Sequence, residues 1–445
     1  MTKKIIFQNA RLFDGISDGL REDISVCISN GKIGQVVKGR TSVPEGYEAI
    51  DLAGKCLLPG LIDTHVHATL IGEEALPLFL AAGVTSARDV GGALGAVLDL
   101  RSRIADGTLL GPRLFVCGPL LDGSTPSLGG PAFEPMLQAV PAPGAVPEIV
   151  GNLIAAGVDG IKLYFSLTPD IATEIIRFVD KRLPVTGHLG WTHSLEAIEA
   201  GIDGLEHVWI SPYNEFCALD MQFGVGASMM DPTFWTKTLK GWEEADLNSC
   251  LATQWFDSMV EKQVHMGSTL DLLWTSRSGI DGAMKDPDRK LIPKVVRERQ
   301  RAIAEQMGDR PDWDIHNWFF EASQGAGALE KHQEVTRLLH ERGGIVVGGT
   351  DCGAIPFPPP GFSLLREIEL LSDSMGAVGA LKSVTSTAAR YLRSEDEIGI
   401  IKEGNRADFL IVNGDPTNDV TDLRKLEDTY VGGVRHTQSE LRALI

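Results

Sequence analysis

Apolar residues in the middle of the chain recur in short runs, and many of these runs end in a polar or charged residue. Segments with helical spacing, such as 170–182 and 193–200, lie between the runs. Repeated strand–helix units with eight strands predict an α/β protein with a (β/α)8 barrel of the TIM type. The strand-like runs are the one that precedes His65 and those at 84–90, 113–117, 160–165, 184–188, 204–209, 264–270 and 344–350.

Both ends of the chain carry a different pattern, with short strand-like runs separated by turns. These runs lie at 5–7, 24–28, 33–37, 407–412 and 428–431. Two β-rich ends around a different middle predict one small β-sandwich domain that is assembled from both termini. We therefore expect residues 1–56 and 399–445 to form this domain, and residues 57–398 to form the barrel.

Two long segments interrupt the strand–helix pattern, at 118–147 after the third strand and at 275–330 after the seventh. Both leave the carboxyl ends of barrel strands, where the active sites of such barrels lie. We expect them to form lids or substrate walls. Surface elaboration away from any site is the alternative.

Composition and charge exclude several classes of protein. The 445 residues carry 41 basic and 60 acidic side chains, a net charge of −19, and such a surface repels nucleic acid and anionic membranes. No apolar segment approaches the roughly 18 residues that cross a bilayer. Six scattered cysteines without a Cys-x-x-Cys motif indicate reduced thiols and a cytoplasmic protein. We expect a small-molecule substrate and neither a nucleic-acid nor a membrane partner.

Residues that can bind a metal stand at the ends of several predicted strands. His65 and His67 are two positions apart, so a strand would point both imidazoles to one face. A lysine inside the apolar run 160–165 is costly if it is charged and unpaired, so a metal site or a chemical modification would account for it. Each histidine alone is compatible with a core position, but their joint occurrence at successive strand ends favours a metal site. The candidate ligands are His65, His67, Lys162, His188, His207 and Asp351.

These residues and several further motifs resemble those of the amidohydrolase superfamily. The similarity is greatest to the branch that contains imidazolonepropionase-like and Xaa-Pro dipeptidase-like enzymes. It covers nearly the whole chain and implies a (β/α)8 barrel with a β-sandwich made from both termini. The matching motifs lie at 58–67, 83–85, 160–163, 204–207, 349–351, 384–392 and 399–412.

The resemblance implies a binuclear metal centre. The His-x-His pair and Asp351 would bind one metal, and His188 and His207 would bind the other. Lys162 would react with CO₂ and bridge both metals through its carbamate. Imidazole and carboxylate oxygen suit Zn²⁺ best, with Mn²⁺ and Co²⁺ as alternatives. We therefore expect two divalent metal ions and a carbamate on Lys162.

The expected reaction is hydrolysis of an amide-like C–N bond in a dipeptide, an N-acyl amino acid, a carbamate or a urea compound. A water that bridges two metals ionises near neutral pH and can attack a carbonyl as hydroxide. Asp351 would take the hydroxide proton and pass it to the leaving amine. The alternatives are an esterase, lactonase or phosphotriesterase with the same centre, and a non-catalytic assembly protein on this fold.

Two residues beside the ligands are candidates for substrate binding. Tyr164 shares the inward face of its strand with Lys162 and could donate to a developing oxyanion or bind a substrate carboxylate. A packed barrel tyrosine is the alternative. His193 follows the fifth strand, and the first position of a helix is its alternative role. Arg366 stands where many relatives carry a histidine, and a homo-oligomer is compatible with the sequence.

Overall fold

Strands and helices alternate through the middle of the chain, whereas strands dominate both ends. The structure is a computed structural model that describes residues 3–128, 133–298, 301, 328–354 and 358–444. The strands are β1 (Ile5–Leu12), β2 (Arg21–Ser29), β3 (Lys32–Lys38), β4 (Glu48–Asp51), β5 (Cys56–Pro59), β6 (Leu61–Val66), β7 (Val84–Asp89), β8 (Arg113–Val116), β9 (Leu120–Asp122), β10 (Leu137–Ala139), β11 (Ile161–Leu163), β12 (Val185–Gly187), β13 (Gly204–Glu206), β14 (His265–Gly267), β15 (Ile345–Val347), β16 (Phe409–Val412), β17 (Leu426–Val431) and β18 (Val434–Thr437). The α-helices span Ala68–Ile71, Leu76–Ala81, Leu94–Ala105, Val146–Ala155, Pro169–Val179, Ser194–Ala200, Tyr213–Phe216, Pro232–Glu244, Cys250–Glu261, Leu270–Ser276, Gly279–Ala283, Ala328–Glu341, Phe362–Ser383, Ser386–Tyr391 and Gln438–Ala443.

Eight of these strands form a parallel barrel in chain order, namely β6 to β8 and β11 to β15. β6 pairs with β7 and β7 with β8, and a second series of paired strands runs from β11 to β15. Backbone hydrogen bonds connect the last strand to the first, because the Asp351 N–H donates to His65 O at 2.8 Å. Between β8 and β11 the Asp159 N–H donates to Val116 O at 2.7 Å. The predicted eight strands and the predicted barrel are confirmed.

The burial of these strands explains their sequence pattern. Every residue of β6, β7, β11, β12 and β13 is buried, as expected for parallel strands covered by helices. Such strands appear in the sequence as continuous apolar runs. The predicted helices after the fourth and fifth strands are present, and both end at left-handed residues, Asp180 and Gly201.

The terminal strands form one mixed sheet of eight strands in the order β18-β17-β16-β5-β1-β2-β3, with β4 paired to β1. Its two faces pack against different cores. Leu57, Phe409 and Ile411 point into a small core of the sheet itself, whereas Leu58 and Leu410 pack into the main core of the barrel. The domain predicted from both termini is confirmed in this form, and the boundaries given above stay a prediction.

The segment after β8 contributes two short strands that the sequence pattern did not reveal. β9 pairs in parallel with both β10 and β11. The buried Asp122 carboxylate accepts hydrogen bonds from the N–H and Oγ groups of Ser127 and Ser166, at 2.7–2.8 Å. These bonds fix the base of the segment beside the end of β11. Half of the second predicted excursion, 302–327 included, lies outside the described residues.

Two expectations about the whole chain were drawn from composition. Among the described helices none combines the length and apolarity needed to cross a membrane. The six cysteines are free thiols, five of them buried and Cys250 exposed. This agrees with the predicted reduced thiols.

Candidate metal centre

The carboxyl ends of the barrel strands bring all six predicted ligands to one cavity. Five strands contribute them, and each residue is between 1% and 7% exposed. The two residues of the His-x-His pair lie at the end of β6 and just beyond it, where strand alternation sends both imidazoles to the same side. The six are His65, His67, Lys162, His188, His207 and Asp351.

His65, His67 and Asp351 form the tightest group. The Asp351 Oδ1 atom lies 3.3 Å from His65 Nε2 and 3.2 Å from His67 Nε2. One potential ligand atom from each of the three residues lies within 4.8 Å of the others. A single metal ion can be held by a set with this chemistry and spacing.

His188, His207 and Lys162 line the other side of the cavity. The His188 and His207 ring centroids are 4.8 Å apart, and the His207 and His65 rings are 4.5 Å apart. His207 Nδ1 lies 4.0 Å from Asp351 Oδ2, so the two halves of the site meet at this carboxylate. The arrangement brings the ligands that the resemblance assigned to two metals into one continuous site.

Three polar atoms in this cavity are buried without a hydrogen-bond partner: Lys162 Nζ, His188 Nε2 and Asp351 Oδ1. An unpartnered buried polar atom is expensive, and each one in a native structure calls for a ligand or a role. All three belong to the predicted ligand set. The donor set and its unpartnered atoms therefore fit metal ions.

Hydrogen bonds at the Nδ1 atom orient three of the imidazole rings. His65 Nδ1 lies 2.9 Å from Glu206 Oε2, and His67 Nδ1 lies 2.9 Å from Gly91 O. His207 Nδ1 lies 2.9 Å from Thr269 Oγ1. Metal-binding histidines commonly use one nitrogen in this way and leave the other for the metal. The pattern leaves Nε2 of each of these rings available.

The backbone is strained where two ligands leave their strands. His207 and Asp351 have φ of 62° and 56°, and Thr269, the partner of His207, has φ of 50°. Left-handed φ values are uncommon for residues other than glycine and cluster at functional sites. The three residues follow β13, β14 and β15, and two of them, His207 and Asp351, line the cavity.

Burial and mutual charge shift the pKa values of the ligands. Burial alone would raise the pKa of Asp351, but His65 and His207 outweigh it and hold that pKa well below its usual range. Burial, followed by neighbouring cationic groups, lowers the pKa of His188 and His207 well below the usual value. Burial also lowers the pKa of Lys162 to about 8, with Glu206 partly opposing the shift. The site thus favours neutral imidazoles at His188 and His207, an ionised Asp351 and a lysine that can lose its proton.

Glu206 is a functional candidate that the sequence analysis did not single out. Its buried carboxylate contacts His65, accepts hydrogen bonds from Arg88 Nη1 at 2.7 Å and Tyr391 Oη at 2.9 Å, and lies 3.8 Å from Lys162 Nζ. Burial would raise the pKa of Glu206, but Lys162, His65 and Arg88 hold it well below the usual range. A glutamate inside a buried strand was the available signal, since such a group needs partners.

Two buried aspartates hold the backbone around the ligands. Asp63 accepts hydrogen bonds from Thr350 Oγ1 at 2.8 Å and from the His65 N–H at 3.2 Å. Asp89 accepts from the N–H groups of Ala68 and Gly91, the latter being the residue whose carbonyl contacts His67. Burial raises the pKa of Asp63 to about 7 and that of Asp89 to about 6.

The rest of the cavity lining, called the wall below, is mainly apolar. Its described residues are Leu70, Leu120, Leu128, Phe133, Met136, Tyr164 and Ala354. Four of them belong to the predicted excursion 118–147, so this segment does form a wall of the cavity. The cavity holds about 50 Å³ of free volume between the described residues. Burial raises the pKa of Tyr164 well above its usual value, so the phenol is protonated.

Two other predicted positions lie away from the cavity lining. His193 precedes the helix Ser194–Ala200, and its N–H donates to Glu196 Oε2 at 2.9 Å. Its role in substrate binding stays a prediction. Arg366 stacks on Trp274, 3.6 Å from the ring centroid, and pairs with Asp286 and Asp288. These contacts give Arg366 a structural role outside the described lining.

Residues 258–435 match the amidohydrolase family. A dihydroorotase of Pelobacter propionicus is 41% identical over 70 residues, which are 16% of each chain. An imidazolonepropionase of Bacillus velezensis is 35% identical over 107 residues, which are 22% of this chain and 25% of that protein. The chain thus spans well under two thirds of the length of these curated relatives.

A solved structure of a Xaa-Pro dipeptidase with bound methionine in the active site is similar over nearly the whole chain. The identity is 22%, the TM-score is 0.69, and the match covers 98% of this chain and 100% of that chain. At this level of identity the similarity establishes the fold. Both enzyme types named by the sequence resemblance are therefore among the proteins that this chain is similar to.

Proposed function

We propose that this chain is a member of the amidohydrolase superfamily and a hydrolase that cleaves an amide-like C–N bond of a small molecule; the match of residues 258–435 to the amidohydrolase family supports this. The observation that carries the proposal is the convergence of six buried ligand side chains on one cavity, three of them with unpartnered polar atoms. The candidate substrates are dipeptides, N-acyl amino acids, carbamates and urea compounds.

The proposed centre contains two divalent ions, with Zn²⁺ favoured by the histidine and carboxylate donors. The His-x-His pair and Asp351 would hold one ion, His188 and His207 the other, and a carbamate on Lys162 would bridge them. When bound, such ions lower the pKa of a water molecule and polarise a substrate carbonyl. The lowered pKa of Lys162 favours the neutral amine, which is the form that reacts with CO₂.

Asp351 is the residue to which we assign proton transfer. Its Oδ1 atom faces His65 and His67, so Oδ2 remains to accept a proton from the attacking water and deliver it to the leaving nitrogen. The low pKa of Asp351 keeps it ionised before the reaction. Tyr164 lines the cavity with a protonated phenol and is proposed to donate to the developing oxyanion.

The experiment compares three chromogenic substrates that release the same type of nitroaromatic group. Valeric 4-nitroanilide, 4-nitrophenyl valerate and diethyl 4-nitrophenyl phosphate are incubated with protein loaded with Zn²⁺ in bicarbonate. The rate enhancement over the uncatalysed reaction is measured for each. We expect anilide hydrolysis that is lost in His188→Ala and retained in His340→Ala, which removes an exposed histidine from the helix Ala328–Glu341.

Other outcomes would support the alternative functions. Turnover of the ester or the phosphotriester without the anilide would support an esterase, lactonase or phosphotriesterase that uses the same centre. Absence of all three activities in metal-loaded protein would support a non-catalytic assembly protein. A cytoplasmic location and self-association remain proposals that these assays do not address.

A further inference from the structure

The cavity wall is mainly apolar, and this limits which substrates it can accept. Six of its seven described residues are aliphatic, aromatic or thioether side chains, and Tyr164 provides one neutral hydroxyl group. The described cationic residue of the lining is Lys162, which lies among the metal ligands and not in the wall. A small molecule at this centre would therefore place its flanking group against carbon and sulfur atoms.

The wall is a built part of the fold. Leu120 lies in β9, which pairs with β11, the strand that carries Lys162. Asp122, two residues later, anchors the segment through four hydrogen bonds to Ser127 and Ser166. Leu128 and Met136 are 9% and 3% exposed, so this part of the wall is buried, whereas Leu70, Phe133 and Ala354 are half-buried. The position of the wall relative to the ligands is thus set by buried contacts.

A carboxylate pressed against the described residues of this wall would lose its hydration without gaining a cationic partner among them. Burying an unpaired ion is much more costly than burying an apolar group of similar size, which instead gains from its removal from water. This cost acts against substrates with a free carboxylate on the group that meets the wall.

We propose that the substrate presents an uncharged, apolar acyl or amine group to this wall. The inference rests on the proposed hydrolysis of an amide-like bond and narrows it. Among the candidate substrates it favours neutral amides, carbamates and ureas, and it disfavours dipeptides and N-acyl amino acids, which carry a free carboxylate. Tyr164 then acts on the carbonyl oxygen and not on a substrate carboxylate.

The test uses two matched pairs of amides that differ by one carboxylate. N-hexanoylpyrrolidine and N-hexanoyl-L-proline differ on the amine side, and valeric and glutaric mono-4-nitroanilide differ on the acyl side. We expect kcat/KM to be at least tenfold higher for the neutral member of at least one pair, with neither pair reversed. Equilibrium dialysis against metal-free protein should show the same preference in Kd, which separates binding by the wall from catalysis.

A variant with its matched control places a charge in the wall. Met136→Lys adds an ammonium on a side chain of similar length, and Met136→Gln adds a neutral polar group. The ratio of kcat/KM for the glutaric to the valeric anilide should rise at least tenfold in Met136→Lys relative to Met136→Gln. If Met136→Lys does not fold, the matched pairs on the unaltered protein decide the question.

The possible failures are distinguishable. Hydrolysis of both members of each pair with equal kcat/KM, or with a preference for the carboxylates, would overturn the inference and leave the proposed function intact. No hydrolysis of any of the four amides by metal-loaded protein would refute the proposed function, and the inference with it.

Discussion

The substitution Glu206→Gln isolates the charge of the group that orients His65. It keeps the shape of the side chain and replaces one carboxylate oxygen by an NH2 group, which removes the negative charge. The carboxylate has two close cationic or hydrogen-bonding partners on one side, Arg88 at 2.7 Å and Tyr391 at 2.9 Å. On the other side it lies 2.9 Å from His65 Nδ1, which it holds in the tautomer that leaves Nε2 free.

Two magnitudes follow from these contacts. Groups that orient a metal-binding histidine typically contribute about 10- to 100-fold to metal affinity, or about 1.4–2.7 kcal/mol. Loss of one partner from a buried ion pair destabilises a protein by about 3–5 kcal/mol. The amide retains part of the hydrogen bonding to Arg88, so the loss of unfolding free energy should fall at the lower end of this range. We expect weaker metal binding together with a lower Tm.

The assay is a competition titration of metal-free protein with Zn²⁺ and a chromophoric chelator, together with thermal unfolding of the same samples. Glu215→Gln is the matched control, because Glu215 is another buried glutamate, which accepts a hydrogen bond from the Leu195 N–H and does not line the cavity. The control should lose stability and keep its metal affinity. A metal affinity of Glu206→Gln within twofold of both the unaltered protein and the control would refute the orienting role.

Three further predictions concern proton transfer, carbamate formation and the cavity wall. Asp351→Asn should retain much of its metal by elemental analysis and lose about 10²- to 10⁴-fold in kcat, and an undiminished kcat would exclude the proton-transfer role. Because burial lowers the pKa of Lys162 from 10.5 to about 8, the cost of burying its ammonium is present below pH 8 and is relieved as the pH rises toward 10.5. At pH 7.5 about a quarter of the Lys162 side chains should be neutral, against about 0.1% for an ordinary lysine. The carbamate signal in ¹³C NMR of metal-free protein in labelled bicarbonate should therefore rise through pH 8 and be absent in Lys162→Ala. A signal that first rises near pH 10 would contradict the lowered pKa of Lys162. Asp122→Ala removes four hydrogen bonds at the base of the wall, so it should speed limited proteolysis between 120 and 140 and raise KM more than it lowers kcat; unchanged cleavage and KM would show that the wall is held by other contacts.

The barrel was predictable because its strands are buried on both faces and therefore carry continuous apolar runs. The two strands β9 and β10 were not, because three-residue strands in a segment rich in proline and glycine leave no periodic pattern. The residues at the strand ends, taken with the family resemblance, predicted a candidate ligand set, and its six members line one cavity. His65 and Asp351 are far apart along the chain. The strand order implies that the barrel closes between its last and first strands, and this closure brings the two residues together.

The partners of the buried carboxylates were beyond the reach of the sequence pattern. Glu206 meets Arg88 and Tyr391, which are 118 and 185 residues away along the chain, and no local spacing encodes those contacts. Arg366 drew attention as a departure from the family pattern, but its stacking on Trp274 depends on how two helices pack. Side-chain pairing across elements is a property of the tertiary structure, and the sequence alone left it open.

The metal content of the purified protein tests the central claim most directly. Protein prepared without chelators and with bicarbonate is analysed by elemental analysis beside Lys162→Ala and the control Lys240→Ala, which removes an exposed lysine. We predict near two metal ions per chain in the unaltered protein and the control, and one or none in Lys162→Ala. One ion in all three proteins would contradict the carbamate-bridged centre, and no ion in any of them would contradict the assignment of a metal-dependent hydrolase.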